Sequence, residues 1–223
     1  MGRWSAEQWA AAAGIVFVVL SVVGDVLPGG SYPKIDDDAA TIAAFSRDHH
    51  RALLASSILT GAAAPFLVWL FAGVAGYMRG GGQGALASVA FGAIVAGSAL
   101  ATASDVLFQA TPHIDDEGVI QGAFAIGGLF ITKAFWFASV AALAVGLAAW
   151  RGAFARWYAW LVFAASVLFA LGGMTVGSSG LFAVAGPMTF IAFIALMIWV
   201  VTTSVVLWKT PVRELSNVAP ASV

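Results

Sequence analysis

Six long apolar runs dominate the chain: residues 9–27, 52–77, 84–107, 130–150, 157–176 and 183–208. A membrane-spanning helix needs about 20 mostly apolar residues at a rise of about 1.5 Å each, and every run reaches that length. The runs are continuously apolar rather than alternating, which argues against the strands of a membrane barrel. The predicted fold class is all-α: a polytopic membrane helix bundle with six transmembrane helices. The breaks are glycine and proline signals, which continue a helix only at a cost. They are Pro28-Gly29-Gly30, Gly80-Gly81-Gly82, Pro112, Arg151-Gly152 and Gly177-Ser178-Ser179-Gly180. The first run reads as a true span, because it exceeds a leader's apolar region and residues 25–28 offer no small-residue cleavage site.

Composition removes several classes. The chain is 61% hydrophobic and 9% charged, against about a quarter charged in a soluble domain, so a water-soluble fold and a disordered chain are both excluded. It holds no cysteine, which excludes disulfides and thiolate chemistry. A net charge of −1 argues against a nucleic-acid binder. One transmembrane domain is expected over 1–209, followed by a polar tail, 210–223, predicted to be disordered.

Charge sets an orientation. One side of the six-span layout carries Arg3, Arg79, Arg151, Arg156, Lys209 and Arg213 against Glu7 and Glu214. The other carries Lys34, Arg47 and Arg51 against Asp36, Asp37, Asp38, Asp48, Asp115, Asp116 and Glu117. The positive-inside rule then puts both termini in the cytoplasm of a multi-pass protein of the plasma (inner) membrane. Trp4, Trp9, Tyr77, Trp150, Trp157, Tyr158, Trp160 and Trp208 fall at the same boundary, as an interfacial belt would.

A two-helix hairpin is repeated. Asp25-Val26-Leu27 recurs as Asp105-Val106-Leu107, an offset of 80, and Pro33-Lys34-Ile35-Asp36-Asp37-Asp38 recurs as Pro112-His113-Ile114-Asp115-Asp116-Glu117, an offset of 79. Both copies start on the same side, so the repeat is a tandem parallel one about an axis along the membrane normal. Each acidic cluster opens a helix, whose free N–H groups and dipole favour negative charge. The segments that follow are too long for a core of about 30 Å: residues 38–77 make about 60 Å of helix and 117–150 about 51 Å. Residues 38–50 and 117–129 must therefore protrude or bend onto the outer surface, with Gly127-Gly128 as the expected bend in the second copy.

Ionisable residues inside apolar runs are functional-site candidates. There are three: Asp25, Asp105 and Lys133. Counted from the terminal side, they lie at depths of about 27, 32 and 27 Å, one common level near the outer edge of the core. Lys133 is placed to pair with either aspartate, under a roof of residues 38–50 and 117–129. His49, His50 and His113 fall on the same side. His49 and His50 are adjacent and point about 100° apart on a helix, which disfavours one metal taking both, and no HExxH is present. The ligand-binding candidates are Asp25, Asp105, Lys133, His49 and His113, with no metal and no cofactor expected.

No catalytic constellation, phosphate loop or dinucleotide fingerprint occurs. The leading functional reading is binding or movement of a small molecule or lipid through an outward-facing polar pocket, alone, as a homo-oligomer or within a larger membrane assembly. The alternative is an intramembrane enzyme on a lipid or isoprenoid substrate, with an aspartate as general acid.

Ala43-Ala44-Phe45-Ser46-Arg47-Asp48-His49 and Arg156-Trp157-Tyr158-Ala159-Trp160-Leu161 complete the picture. On these motifs and its general layout the chain resembles a broad group of uncharacterised actinobacterial multi-helix membrane proteins. The resemblance implies a polytopic helical fold and brings no activity, since the group carries a domain-of-unknown-function label. The second acidic loop and Lys133 lie outside it.

Overall fold

A computed structural model of the chain describes residues 4–29, 32–177 and 179–209. The tail at 210–223, expected to be disordered, lies outside the described residues. Among the described residues, seven α-helices follow one another: α1 (Ala6–Val26), α2 (Ala39–Asp48), α3 (His50–Gly80), α4 (Gly84–Ala110), α5 (Glu117–Trp150), α6 (Arg156–Gly173) and α7 (Pro187–Lys209). A short 3-10 turn, Thr111–His113, extends α4. All but α2 are long and apolar enough to cross a membrane.

Local chemistry explains the ends. Ser5 and Gln8 form a reciprocal capping box at the start of α1. The α3–α4 turn closes with the Gln83 amide donating to the Met78 carbonyl at 2.9 Å, which requires Gly82 at φ +77, a conformation glycine adopts without strain. Pro65 sits inside a continuous α3. Pro187, expected within the last helix, is instead its first residue, where a missing N–H costs nothing. The last loop is correspondingly longer than the hydropathy suggested, because α6 ends at Gly173 and residues 174–177 and 179–186 form turns with a parallel bridge between Gly177 and Ala183.

The six long helices close a ring: α1 packs on α3, α3 on α4, α4 on α5, α5 on α6, α6 on α7 and α7 on α1. The buried face of α1 (Ala10, Gly14, Phe17, Ser21, Gly24) recurs every three or four residues, as one stripe of a helix must. Small residues let the backbones approach, which is how helices associate where lipid removes the hydrophobic drive. A Cβ on Gly14 would run into Ser204 Oγ of α7 and lie 2.9 Å from Leu70 Cδ2 of α3. Ser139 and Ser166 clasp α5 to α6 by donating to each other's carbonyl oxygens, each at 2.9 Å.

Aromatic side chains fill the middle of the ring. Trp199 is fully buried, with its ring centroid 4.9 Å from Phe71 and 5.5 Å from Phe169. Tyr158, expected in the interfacial belt, belongs to this core: it is fully buried and its hydroxyl lies 2.6 Å from Thr203 Oγ1. It occupies the inward face of the first turn of α6, while its neighbours Trp157 and Trp160 are exposed. Trp4, Trp9, Trp150 and Trp208 are exposed as the belt requires.

The two overlong segments resolve differently. In the first copy the chain breaks at His49 (φ −103, ψ 15), separating α2 from α3. In the second, α5 runs unbroken through Gly127-Gly128. These glycines provide close packing within the uninterrupted helix: a Cβ on Gly127 would lie 3.2 Å from the Phe108 ring, and one on Gly128 2.8 Å from Val184 Cγ1. The start of α5 carries α2 on its flank. Ile42, Ala43, Ile120 and Phe124 form a small separate core with Phe108 and Ile114. Its edge is fixed by an Arg47–Glu117 ion pair at 3.5 Å and by Gln121 Nε2 donating to the Asp37 carbonyl at 2.9 Å.

Candidate functional site

The acidic clusters act first as helix caps. The Asp38 carboxylate accepts from the Thr41 amide and hydroxyl, both at 2.8 Å, and Asp116 accepts from the Val119 amide at 3.0 Å. The Thr41 amide, then its hydroxyl, holds the Asp38 carboxyl below the usual carboxylate range. The caps are 78 residues apart (116 − 38), one short of the repeat's offset, so the second helix opens one residue early in its motif.

Opposite the termini, α1, α3 and α4 bring polar groups together. Gly24 lies against Thr60 and the Ser56 carbonyl, which lets the end of α1 close on α3. Asp25 follows, exposed on the rim. Asp105, half-buried on α4, has the Thr60 hydroxyl beside its carboxylate. Thr60 Oγ1 itself donates to the Ser56 carbonyl at 3.1 Å. The Ser57 hydroxyl donates to the Asp105 backbone carbonyl at 3.1 Å and accepts from Gln109 Nε2, tying α3 to α4 at this level.

Tyr32, in the loop after α1, joins the two acids. Its phenol lies beside the Ser56 hydroxyl and feels the negative charge of both Asp25 and Asp105. Burial first, then the Asp25 charge, pushes the phenol up to about 12. It therefore stays neutral across the physiological range. Phe45 of α2 packs on it with ring centroids 5.4 Å apart, and His49 stacks on Phe45 at 4.4 Å. An aromatic file thus runs from the acid pair to the α2–α3 joint.

The other candidates disperse. Lys133 Nζ donates to the Gly173 carbonyl at 3.1 Å, capping the C-terminus of α6. The expected pairing of Lys133 with Asp25 or Asp105 is not formed: the one ion pair among the described residues is Arg47–Glu117. His49 Nδ1 lies 3.1 Å from the Phe45 carbonyl. His113 meets His50, not His49, edge to face with centroids 5.4 Å apart. No group of three or more His, Cys, Asp or Glu positioned to hold a metal occurs among the described residues.

Tyr32, Ser56, Ser57, Thr60 and Gln109 were not singled out from sequence. Two signals were available. Ser56, Ser57 and Thr60 form a hydroxyl stripe within an apolar run, and Gln109 lies four residues after Asp105, on the same helix face.

The arrangement is that of an integral membrane helix bundle with a small acid-and-hydroxyl cluster at one end of its ring. No family model, curated protein or solved structure matches the chain.

Proposed function

We propose that the protein binds or moves a small molecule or lipid through an outward-facing polar pocket around Asp25, Tyr32 and Asp105. In this reading all six long helices cross the plasma (inner) membrane, both termini are cytoplasmic, and the hairpins containing α1 and α4 are a tandem repeat. The charge asymmetry between the two sides supports the orientation. The paired acidic caps at Asp38 and Asp116 support the repeat. The chain acts alone, as a homo-oligomer, or in a larger membrane assembly.

One observation carries the reading. Asp25 and Asp105 come from different helices, both act by their charge on the Tyr32 phenol, and have no ion-pair partner among the described residues. Carboxylates near the apolar core are costly, and a ligand or a proton offsets that cost. The rival reading, an enzyme with an aspartate general acid, needs a closed apolar cavity around one acid. The exposure of Asp25 and the partial exposure of Asp105 favour binding instead.

Native mass spectrometry of protein purified from its own membrane tests this. A bound small molecule or lipid is expected, and Asp105→Asn and Asp25→Asn are expected to lose it while remaining folded. The reading fails if nothing co-purifies and both variants leave stability and cell phenotype unchanged.

A further inference from the structure

On the side where the termini lie, α1 and α7 leave a groove of about 430 Å³ between them. Its walls are Ala11, Ala12 and Ile15 of α1 and Ser204, Val205, Trp208 and Lys209 of α7, apolar apart from the Ser204 hydroxyl and the lysine head. Ile15, Val205 and Trp208 are exposed, so the groove lies on the outer surface of the ring.

Lys209 is the last residue of α7, exposed and without an ion-pair partner among the described residues. Beside it, Trp208 meets Trp4 edge to face with ring centroids 5.2 Å apart, and Trp4 meets Trp9 at 4.8 Å. Such a tryptophan cluster marks the level of the headgroups. The groove therefore has an apolar floor descending below the boundary and one cation at its mouth. Ile15 lies six residues below Trp9 along α1, a descent of about 9 Å.

We propose that this groove holds one anionic phospholipid from the leaflet on the terminal side. An acyl chain lies along Ala11, Ala12 and Ile15, and the phosphate rests on the Lys209 ammonium. The chemistry matches at both ends: apolar wall to hydrocarbon, cation to phosphate. A second copy of the chain fits the groove less well, because a symmetric pair would bring two Lys209 side chains to one seam. The site lies at the opposite end of the ring from Asp25 and Asp105 and does not depend on the role proposed for them.

The test uses the full chain in detergent, loaded with phosphatidylglycerol or with phosphatidylcholine, and read by native mass spectrometry. One retained phosphatidylglycerol per chain is expected, in preference to phosphatidylcholine. Lys209→Glu, a surface change, is expected to reduce that retention by at least about five-fold, the factor matching about 1 kcal/mol for one interfacial charge. Lys209→Arg is expected to keep it. Ala12→Phe, which fills the groove, is expected to reduce retention of both lipids, and Val205→Trp does the same from α7 should the first variant fold poorly. Equal retention by the unaltered chain and Lys209→Glu overturns the proposal. So does a disulfide-linked dimer formed by Ile15→Cys in lipid excess, which would assign the groove to a second copy.

Discussion

Lys133 donates to the carbonyl oxygen of Gly173, 3.1 Å away, at the final residue of α6. A helix C-terminus carries unsatisfied carbonyls and the negative end of the dipole, so a half-buried ammonium is stabilised there without any carboxylate. Trp136 packs over the same glycine, whose absent side chain leaves the room: a Cβ would lie 2.7 Å from Trp136 Cδ1.

Lys133→Met should therefore act on stability alone. A loss of about 1 kcal/mol is expected, a fall in Tm of about 2–4 °C for a domain of this size. Lys133→Arg should retain most of it. Thermal unfolding in detergent measures this. Loss of a ligand held at Asp105, with the Tm unchanged, would contradict a capping role.

Gly14→Ala should destabilise by about 1–3 kcal/mol, because its methyl meets Ser204 Oγ and Leu70. Ser204→Ala should be near neutral alone, since its buried hydroxyl has no hydrogen-bond partner. The double variant should recover part of the loss. A double-mutant cycle reads the coupling, and strict additivity would show that the two residues do not meet.

Tyr32 should stay protonated well beyond the usual tyrosine range, with its folded value at about 12. The unfolded chain ionises at about 10. The stability contributed by the protonated phenol is thus complete below about pH 10 and lost as pH rises to about 12. Asp25→Asn removes a negative charge and should lower the Tyr32 value. Ultraviolet titration, with Tyr32→Phe as the subtraction, measures both. An unchanged titration in Asp25→Asn would separate the two groups.

Because the chain contains no cysteine, single substitutions report topology cleanly. Cysteines at Asp37, Asp116 and Ser179 should label with an impermeant reagent from outside intact cells. A cysteine at Ser5 should label only after the membrane is opened. Outside labelling at Ser5 would reverse the proposed orientation.

The long helices were legible because a span advertises itself twice, through an apolar run and through the glycine or proline that stops it. The main differences arose where one residue type serves two ends. Gly127-Gly128 reads alike whether a helix bends there or lets Phe108 and Val184 approach. Tyr158 sits among boundary aromatics in sequence, yet its phase on α6 turns it inward to Thr203. Carboxylates are visible in sequence and draw the expectation for Lys133, whereas its partner is a backbone carbonyl, which every residue has. Asp25 and Asp105 stand out in sequence by their charge. Tyr32 does not, because a loop tyrosine comes near them only once α1 and α3 are packed.

The ring of helices has a seam, and the seam joins parts of the chain made far apart in time. Gly14 and Ser204 meet across α1 and α7, separated by 190 residues (204 − 14). Without α7, the inward stripe of α1 and the faces of Phe71 and Phe169 that receive Trp199 would stand uncovered. The other five long helices are thus a trough rather than a smaller bundle, and only α7 closes it.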